Sequence, residues 1–206
     1  KILEITLNNG IDPVSGKKLG IETGDPRTFT SYEQLYDAYH KQMLHFVNMK
    51  LAVNNYIERM FSLYAPATFL SLFIDDCIAR GKDYYSGGAR YNTTYIQCTG
   101  LGTTTDCLSA MQKHVFREQT PDDGKLAGPF AKCANAAERM DLLLEAVKYD
   151  WGRTAPADHP LHGMEGEKLR QFILNRTPFF GNDNELADTI AVKVYDDLVA
   201  AIEGHP

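Results

Sequence analysis

Leu35, Tyr39, Met43, Phe46, Val53, Ile57, Met60 and Tyr64 recur at intervals of three, four or seven residues. One apolar stripe of that kind predicts a long core-facing helix, ended by Pro66. Thr30 or Ser31 is placed to cap it, with Glu33 three residues after Thr30 in the capping-box relation. Ahead of it, residues 1–9 read as the end of a helix stopped by Asn8-Asn9-Gly10, and residues 10–29 as a surface loop rich in turn formers. Residues 67–80 predict a second helix with apolar side chains on more than one face, which implies burial on several sides.

Periodicity changes at residues 91–98, where Tyr, Thr and Ile predict a short strand. Gly100 and Gly102 follow as a tight turn, and Thr105 or Asp106 is expected to cap a helix carrying Leu108, Met111 and Val115. Strand, turn and helix in that order form a βα unit, so the expected class is α/β, mostly helical in this stretch. Further on, residues 117–130 read as a loop, 131–150 as an amphipathic helix, 151–166 as polar, 169–174 as a short helix broken at Thr177-Pro178, and 186–202 as a last helix. No internal repeat or low-complexity tract interrupts this order.

Composition narrows the partners. Lys plus Arg number 21 against 27 Asp plus Glu, a net charge of −6. A mildly acidic chain has no general electrostatic reason to bind nucleic acid or anionic lipid, so neither is expected as a partner. No apolar run approaches the ~20 residues of a bilayer span, so no membrane partner is expected either. The cysteines Cys77, Cys98, Cys107 and Cys133 form no C-x-x-C pair and fit no zinc signature, so they read as reduced thiols, mostly buried, in a cytoplasmic chain.

Candidate chemistry is sparse. The Gly100-Leu-Gly102 turn lacks the third glycine and the acidic residue of a dinucleotide fingerprint, and the Gly-Lys-Ser/Thr ending of a nucleoside-triphosphate loop is absent. Asp12, Ser15 and Asp25 match a calcium loop only loosely. His159 and His162, with a proline between them, make a weak metal pair, and no metal is expected. Ligands of parallel sheets gather at the carboxyl ends of strands. Gln97, Cys98 and Thr99 lie at such an end and are the substrate-binding candidates on geometry, with Tyr91 and Asn92 weaker. The chain opens at Lys1 inside an apolar-periodic segment and stops at Pro206 just after a helical one, so it reads as an internal piece without natural termini.

Three stretches then carry a resemblance. Leu72-Phe-Ile-Asp-Asp-Cys-Ile-Ala-Arg-Gly-Lys-Asp-Tyr84, Gly87-Gly-Ala-Arg-Tyr-Asn-Thr-Thr-Tyr-Ile-Gln97 and Asp106-Cys-Leu-Ser-Ala110 with Val115-Phe116 look like the glycyl radical enzymes, the pyruvate formate-lyase-like family. Asn175-Arg-Thr-Pro-Phe-Phe-Gly-Asn-Asp183, followed by Ala187-Asp188, resembles that family's recurring segment ahead of a helix. Asn8-Asn9-Gly10-Ile-Asp12 resembles the stretch a little after its active-site cysteine loop. The run Tyr91-Asn-Thr-Thr-Tyr-Ile-Gln-Cys-Thr-Gly-Leu-Gly102 is most similar to the eliminating branch of lyases and dehydratases, of the isethionate sulfite-lyase and trans-4-hydroxy-L-proline dehydratase types, which these residues do not separate.

The resemblance implies that residues 1–206 are the central segment of a ten-stranded α/β barrel. It also implies a thiyl radical that abstracts hydrogen from a small polar substrate, so that a C–O, C–N or C–S bond breaks. A glycyl radical in the parent protein, installed by a separate S-adenosylmethionine-dependent iron–sulfur activase, would generate the thiyl. The remaining implied partners are the rest of the parent chain and a second copy in a homodimer. Neither the Gly-Cys-Val-Glu loop nor the Arg-Val-x-Gly-Tyr loop of the family occurs here, so no catalytic residue is assigned, Cys98 reads as packing, and the segment alone is expected to be inactive. An acyltransferase of the pyruvate formate-lyase type and a non-catalytic helical binding domain are the alternatives.

Overall fold

The computed structural model describes residues 1–92, 95–117 and 128–204. Thr93 and Thr94, in the middle of the expected strand, and most of the expected loop 117–130 lie outside the described residues. Eight α-helices dominate: α1 (Ile2–Leu7), α2 (Tyr32–Tyr64), α3 (Thr68–Ser71), α4 (Asp75–Arg80), α5 (Leu101–Met111), α6 (Ala136–Lys148), α7 (Met164–Arg176) and α8 (Glu185–Ile202). A π-helical turn, Gln112–Phe116, extends α5. No helix among the described residues is long and apolar enough to cross a membrane.

The chain divides into two compact units: residues 1–45 with 100–200, and residues 46–99 with 201–206. In the first unit, Leu35, Leu108, Met140 and Leu169, from α2, α5, α6 and α7, are all essentially removed from solvent. Their burial follows the apolar stripes, and α8 adds Ile190 and Val194. Local signals fix the helix starts. The Asn135 side chain accepts the Glu138 N–H (2.9 Å) while Glu138 accepts the Ala134 N–H (2.8 Å), and Asn184 accepts the Leu186 N–H (3.1 Å). The long stretch 10–29 is an ordered loop. Gly10 carbonyl accepts from Leu19 N–H and Gly20 N–H, and Asn9 Oδ1 accepts from Thr23 N–H and Gly24 N–H.

The second unit is built differently. Among the described residues its buried apolar side chains are Val47, Cys77 and Ala201. The α2 stripe is core-facing through Val47, but Val53, Tyr56, Ile57, Met60 and Tyr64 are exposed. The expected helix 67–80 is also corrected: it breaks between α3 and α4, and Phe69, Leu70, Leu72 and Phe73 face solvent. The Ser71 hydroxyl accepts the Tyr84 N–H (2.9 Å) and lies 2.8 Å from the Asp83 carboxylate, so polar bonding draws the chain back at the point where a continuous helix would run on.

The expected strand at 91–98 is a second correction. Among the described residues there is no strand, only an isolated antiparallel bridge between Ile11 and Lys18. A lone strand leaves its N–H and C=O groups unpaired, and no neighbouring strand is present among the described residues to take them. Among the described residues the chain is helical, in line with the expectation of a mostly helical stretch. α5 also starts five or six residues earlier than expected. Gly100 supplies a left-handed turn (φ 87°) and accepts the Thr104 N–H (2.9 Å), so neither Thr105 nor Asp106 is the cap.

Candidate functional site

Gln97, Cys98 and Thr99 are exposed and lie outside regular structure, directly before Gly100. Tyr91 and Asn92 are exposed as well, Tyr91 at 82% and the neighbouring Tyr95 at 80%. Aromatic side chains that open to solvent are unusual for a finished surface.

Within the first unit, the chain after α7 is fastened to α5 by three side chains. Phe180 N–H donates to Asp106 Oδ1 (2.8 Å), Ser109 Oγ donates to the Pro178 carbonyl (2.7 Å), and His114 Nε2 lies 3.0 Å from Thr177 Oγ1. Asp106 and Ser109 are three apart, on one helix face. Regular α-helix would bring Lys113 next to that face. The π-helical turn inserts a residue and brings His114 there instead. Gly102 completes the fit, since a Cβ there would meet the Phe180 ring at 3.2 Å.

The state of His114 follows from its partners. Thr177 Oγ1 spends its proton on the Ile173 carbonyl (2.7 Å), so it accepts from His114, whose neutral ring is the Nε2–H tautomer. The ring is 8% exposed, parallel to Phe130 (centroids 5.7 Å apart, 7° between planes) and tilted against Phe172 (5.4 Å). Burial, helped by Lys113, pushes its pKa down to about 4. Nothing in the sequence pattern pointed to this partnership of His114 with Thr177. The usable signal was the Asn175–Asp183 segment itself.

The remaining candidates resolve as structure. Asp12 carries no calcium-like cluster. Its carboxylate takes Lys1 Nζ (2.7 Å), Ser15 Oγ (2.5 Å) and Ser15 N–H (3.1 Å), and these, Lys1 above all, hold it well below the usual carboxylate range. His159 Nδ1 accepts the Leu161 N–H (3.2 Å) while Nε2 faces Glu145 at 3.5 Å, and His162 Nδ1 meets the Ala155 carbonyl at 2.8 Å. Both imidazoles are committed to protein groups, and no His, Cys, Asp or Glu cluster suited to a metal occurs among the described residues. Cys77 is buried, against Gly88. Desolvation raises the thiols of Cys98, Cys107 and Cys133, with Asp106 adding to the effect at Cys107 and Glu138 at Cys133. None is an activated thiolate.

Comparison with known proteins finds relatives along the whole chain. The chain is 40% identical over all 206 residues to trans-4-hydroxy-L-proline dehydratase of Clostridioides difficile, covering 22% of that protein. It is 30% identical over 193 residues, 91% of this chain and 19% of the relative, to isethionate sulfite-lyase of Desulfovibrio desulfuricans. The crystal structure of the Clostridioides difficile hydroxyproline dehydratase with trans-4-hydroxy-L-proline bound aligns with the whole chain and 22% of its own, at a TM-score of 0.78 and 39% identity. The chain thus spans about a fifth of the length of these relatives. The family described as pyruvate formate lyase-like matches residues 1–206 from end to end. The resemblance carried by the Leu72–Tyr84, Gly87–Gln97 and Asn175–Asp183 stretches is borne out, and the chain belongs to the pyruvate formate lyase-like family.

Proposed function

We propose that this chain is the central segment of a glycyl radical lyase that eliminates water, an amine or sulfite from a small polar substrate, and that it forms part of a ten-stranded α/β barrel. The observation that carries the reading is 40% identity, without a break in coverage, to a protein named as a hydroxyproline dehydratase. The fold likeness to the substrate-bound dehydratase supports it. Trans-4-hydroxy-L-proline is therefore the first substrate to test, and isethionate the second.

In this reading the chemistry is divided. No Gly-Cys-Val-Glu or Arg-Val-x-Gly-Tyr sequence occurs in these residues, so the hydrogen-abstracting cysteine and the radical glycine are assigned to other parts of the protein. Those groups supply hydrogen-atom abstraction. The present residues supply walls and positioning: Gln97 offers an amide, Thr99 a hydroxyl, and Cys98 a small side chain beside them, all just before the Gly100 turn. A site closed to water protects radicals from quenching, which accords with a role in shaping and sealing. The partners are the rest of the polypeptide, the substrate, a second copy in a homodimer and a S-adenosylmethionine-dependent iron–sulfur activase, all cytoplasmic.

The test is to activate the intact protein anaerobically and supply trans-4-hydroxy-L-proline, isethionate, 1,2-propanediol and glycerol separately. Consumption of one of them, dependent on activation, is expected. A properly activated protein, with its radical visible by electron paramagnetic resonance, that turns over none of them overturns the proposal.

A further inference from the structure

We propose that α5 and its π-helical turn form a proton-sensitive clasp: neutral His114, with Asp106 and Ser109, holds the Thr177–Phe180 stretch against α5, and protonation of the ring releases it. The geometry carries this. Three side chains of one helix bond three positions in a stretch of four, and the middle bond, Ser109 to Pro178, is sheltered. The outer bond at His114 is held by a ring that packs against both Phe130 and Phe172, which also pack against each other. Gly128 (φ 71°) leaves room for this closure, because a Cβ there would overlap the Phe172 ring.

Protonation adds a second N–H to the imidazole. The flanking phenyl rings offer that N–H no oxygen, so the charged ring gains by leaving for water. Among the described residues the packed elements bring little to oppose this. Lys113 on the same turn disfavours the cation, as the lowered pKa reflects. From α6, Arg139 donates from Nε to the Val115 carbonyl (2.6 Å), so it adds positive charge to the same turn. Phe130 and, on α7, Phe172 are uncharged, and Asp106 is the carboxylate among the clasp's described residues. The turn is thus stable with a neutral ring and intolerant of a charged one. The stretch it controls leads directly through Asn182 and Asp183 into α8.

Hydrogen exchange of the peptide spanning residues 174–183 in the intact protein tests this, with intrinsic rates corrected for pH. If the released ring titrates at 6.5 and the clasped ring at about 4, the open fraction grows about 30-fold between pH ~7.5 and pH ~5. Protection should fall by that factor in the wild type. His114→Gln keeps an N–H for Thr177 and has no titration, so its protection should stay level across the same range. Asp106→Asn removes the clasp's carboxylate and should keep the wild-type response. Equal wild-type protection at both pH values overturns the proposal, as does the same loss in His114→Gln. The wild-type series decides the matter even if a variant fails to fold.

Discussion

Gln42 offers a direct measure of how firmly the loop 10–29 is held. Its side chain is completely buried on α2, donates from Nε2 to the Ile21 carbonyl, and accepts the Ile21 N–H at Oε1 (3.2 Å). One amide therefore satisfies both backbone groups of a residue 21 positions away. Gly20 lies beside it with no space for a Cβ, which would press on Gln42 Oε1 and come within 2.8 Å of Ile5 Cγ2. In Gln42→Leu the volume is nearly kept, so little cavity cost arises. What is lost is pairing at Ile21 N–H and C=O, each worth ~1–3 kcal/mol when orphaned in the interior. Ile21 is only half-buried, so water recovers part of this and a total of ~2 kcal/mol is expected. That corresponds to roughly 30-fold faster exchange of the amides around Ile21 through local opening.

Gln42→Glu makes the sharper version. A protonated carboxyl donates to the Ile21 carbonyl and accepts from its N–H, as the amide does. An ionised one faces that carbonyl with negative charge in a buried site, so burial raises its pKa above the unfolded value of about 4.3. The group then contributes full stability below its unfolded pKa and loses it as pH rises through the folded value. Hydrogen exchange of residues 18–24 in the intact protein is the assay. Gln42→Glu should match wild type near pH ~4 and lose protection by pH ~7. Unchanged protection in Gln42→Leu, or a Gln42→Glu response without this pH slope, refutes the reasoning.

Three further outcomes are expected. Gly88→Ala should destabilise the second unit by ~1–3 kcal/mol, the usual cost of forced overpacking, because its Cβ would come within 2.8 Å of Cys77 Sγ and 2.9 Å of the Asp83 carbonyl; limited proteolysis of residues 67–90 reads this, and wild-type resistance contradicts it. Cys98, Cys107 and Cys133 should alkylate with iodoacetamide at neutral pH more slowly than free cysteine, since desolvation raises all three thiols; a fast site detected by peptide mass mapping contradicts that. The 206-residue chain expressed alone should bind a hydrophobic dye and lack one sharp melt, because among its described residues the second unit buries only Val47, Cys77 and Ala201 as apolar side chains; a single cooperative transition without dye binding counts against it.

Where local chemistry decides the outcome, the sequence was readable. The stripe Leu35–Tyr39–Met43, the helix 186–202 and the stop at Thr177-Pro178 all follow from periodicity and capping, and the structure has them. Three features escaped for physical reasons. The strand at 91–98 has the right residues, but a strand is stabilised by a neighbour, and composition does not supply one. The apolar side chains of 53–64 and 69–73 announce burial without naming what buries them, and here they stand exposed. The π-helical turn at Gln112–Phe116 breaks the 3.6-residue period that such a reading relies on, which hid the meeting of His114 with Thr177. Of the substrate-binding candidates, Gln97, Cys98 and Thr99 were legible only through an expected strand end.

The contrast between the units bears on the division of labour. In the first, buried polar groups such as Gln42, Ser109 and His114 are each bonded to a specific partner in a neighbouring element. Such networks fix one arrangement because a half-satisfied alternative leaves polar groups stranded. In the second, large apolar side chains such as Phe69, Leu72, Phe73 and Tyr91 lie on the surface, and the candidates Gln97, Cys98 and Thr99 lie a few residues beyond Tyr91 along the same chain. A surface that apolar is costly in water, so a protein that retains it gains from covering it. Within a lyase of the proposed kind, a covering over Phe73 and Tyr91 would also exclude water from the neighbouring candidates Gln97 and Thr99, as radical chemistry requires. The first unit is thus fixed by specific polar bonds between its elements, whereas the second presents apolar surface whose covering would be favourable.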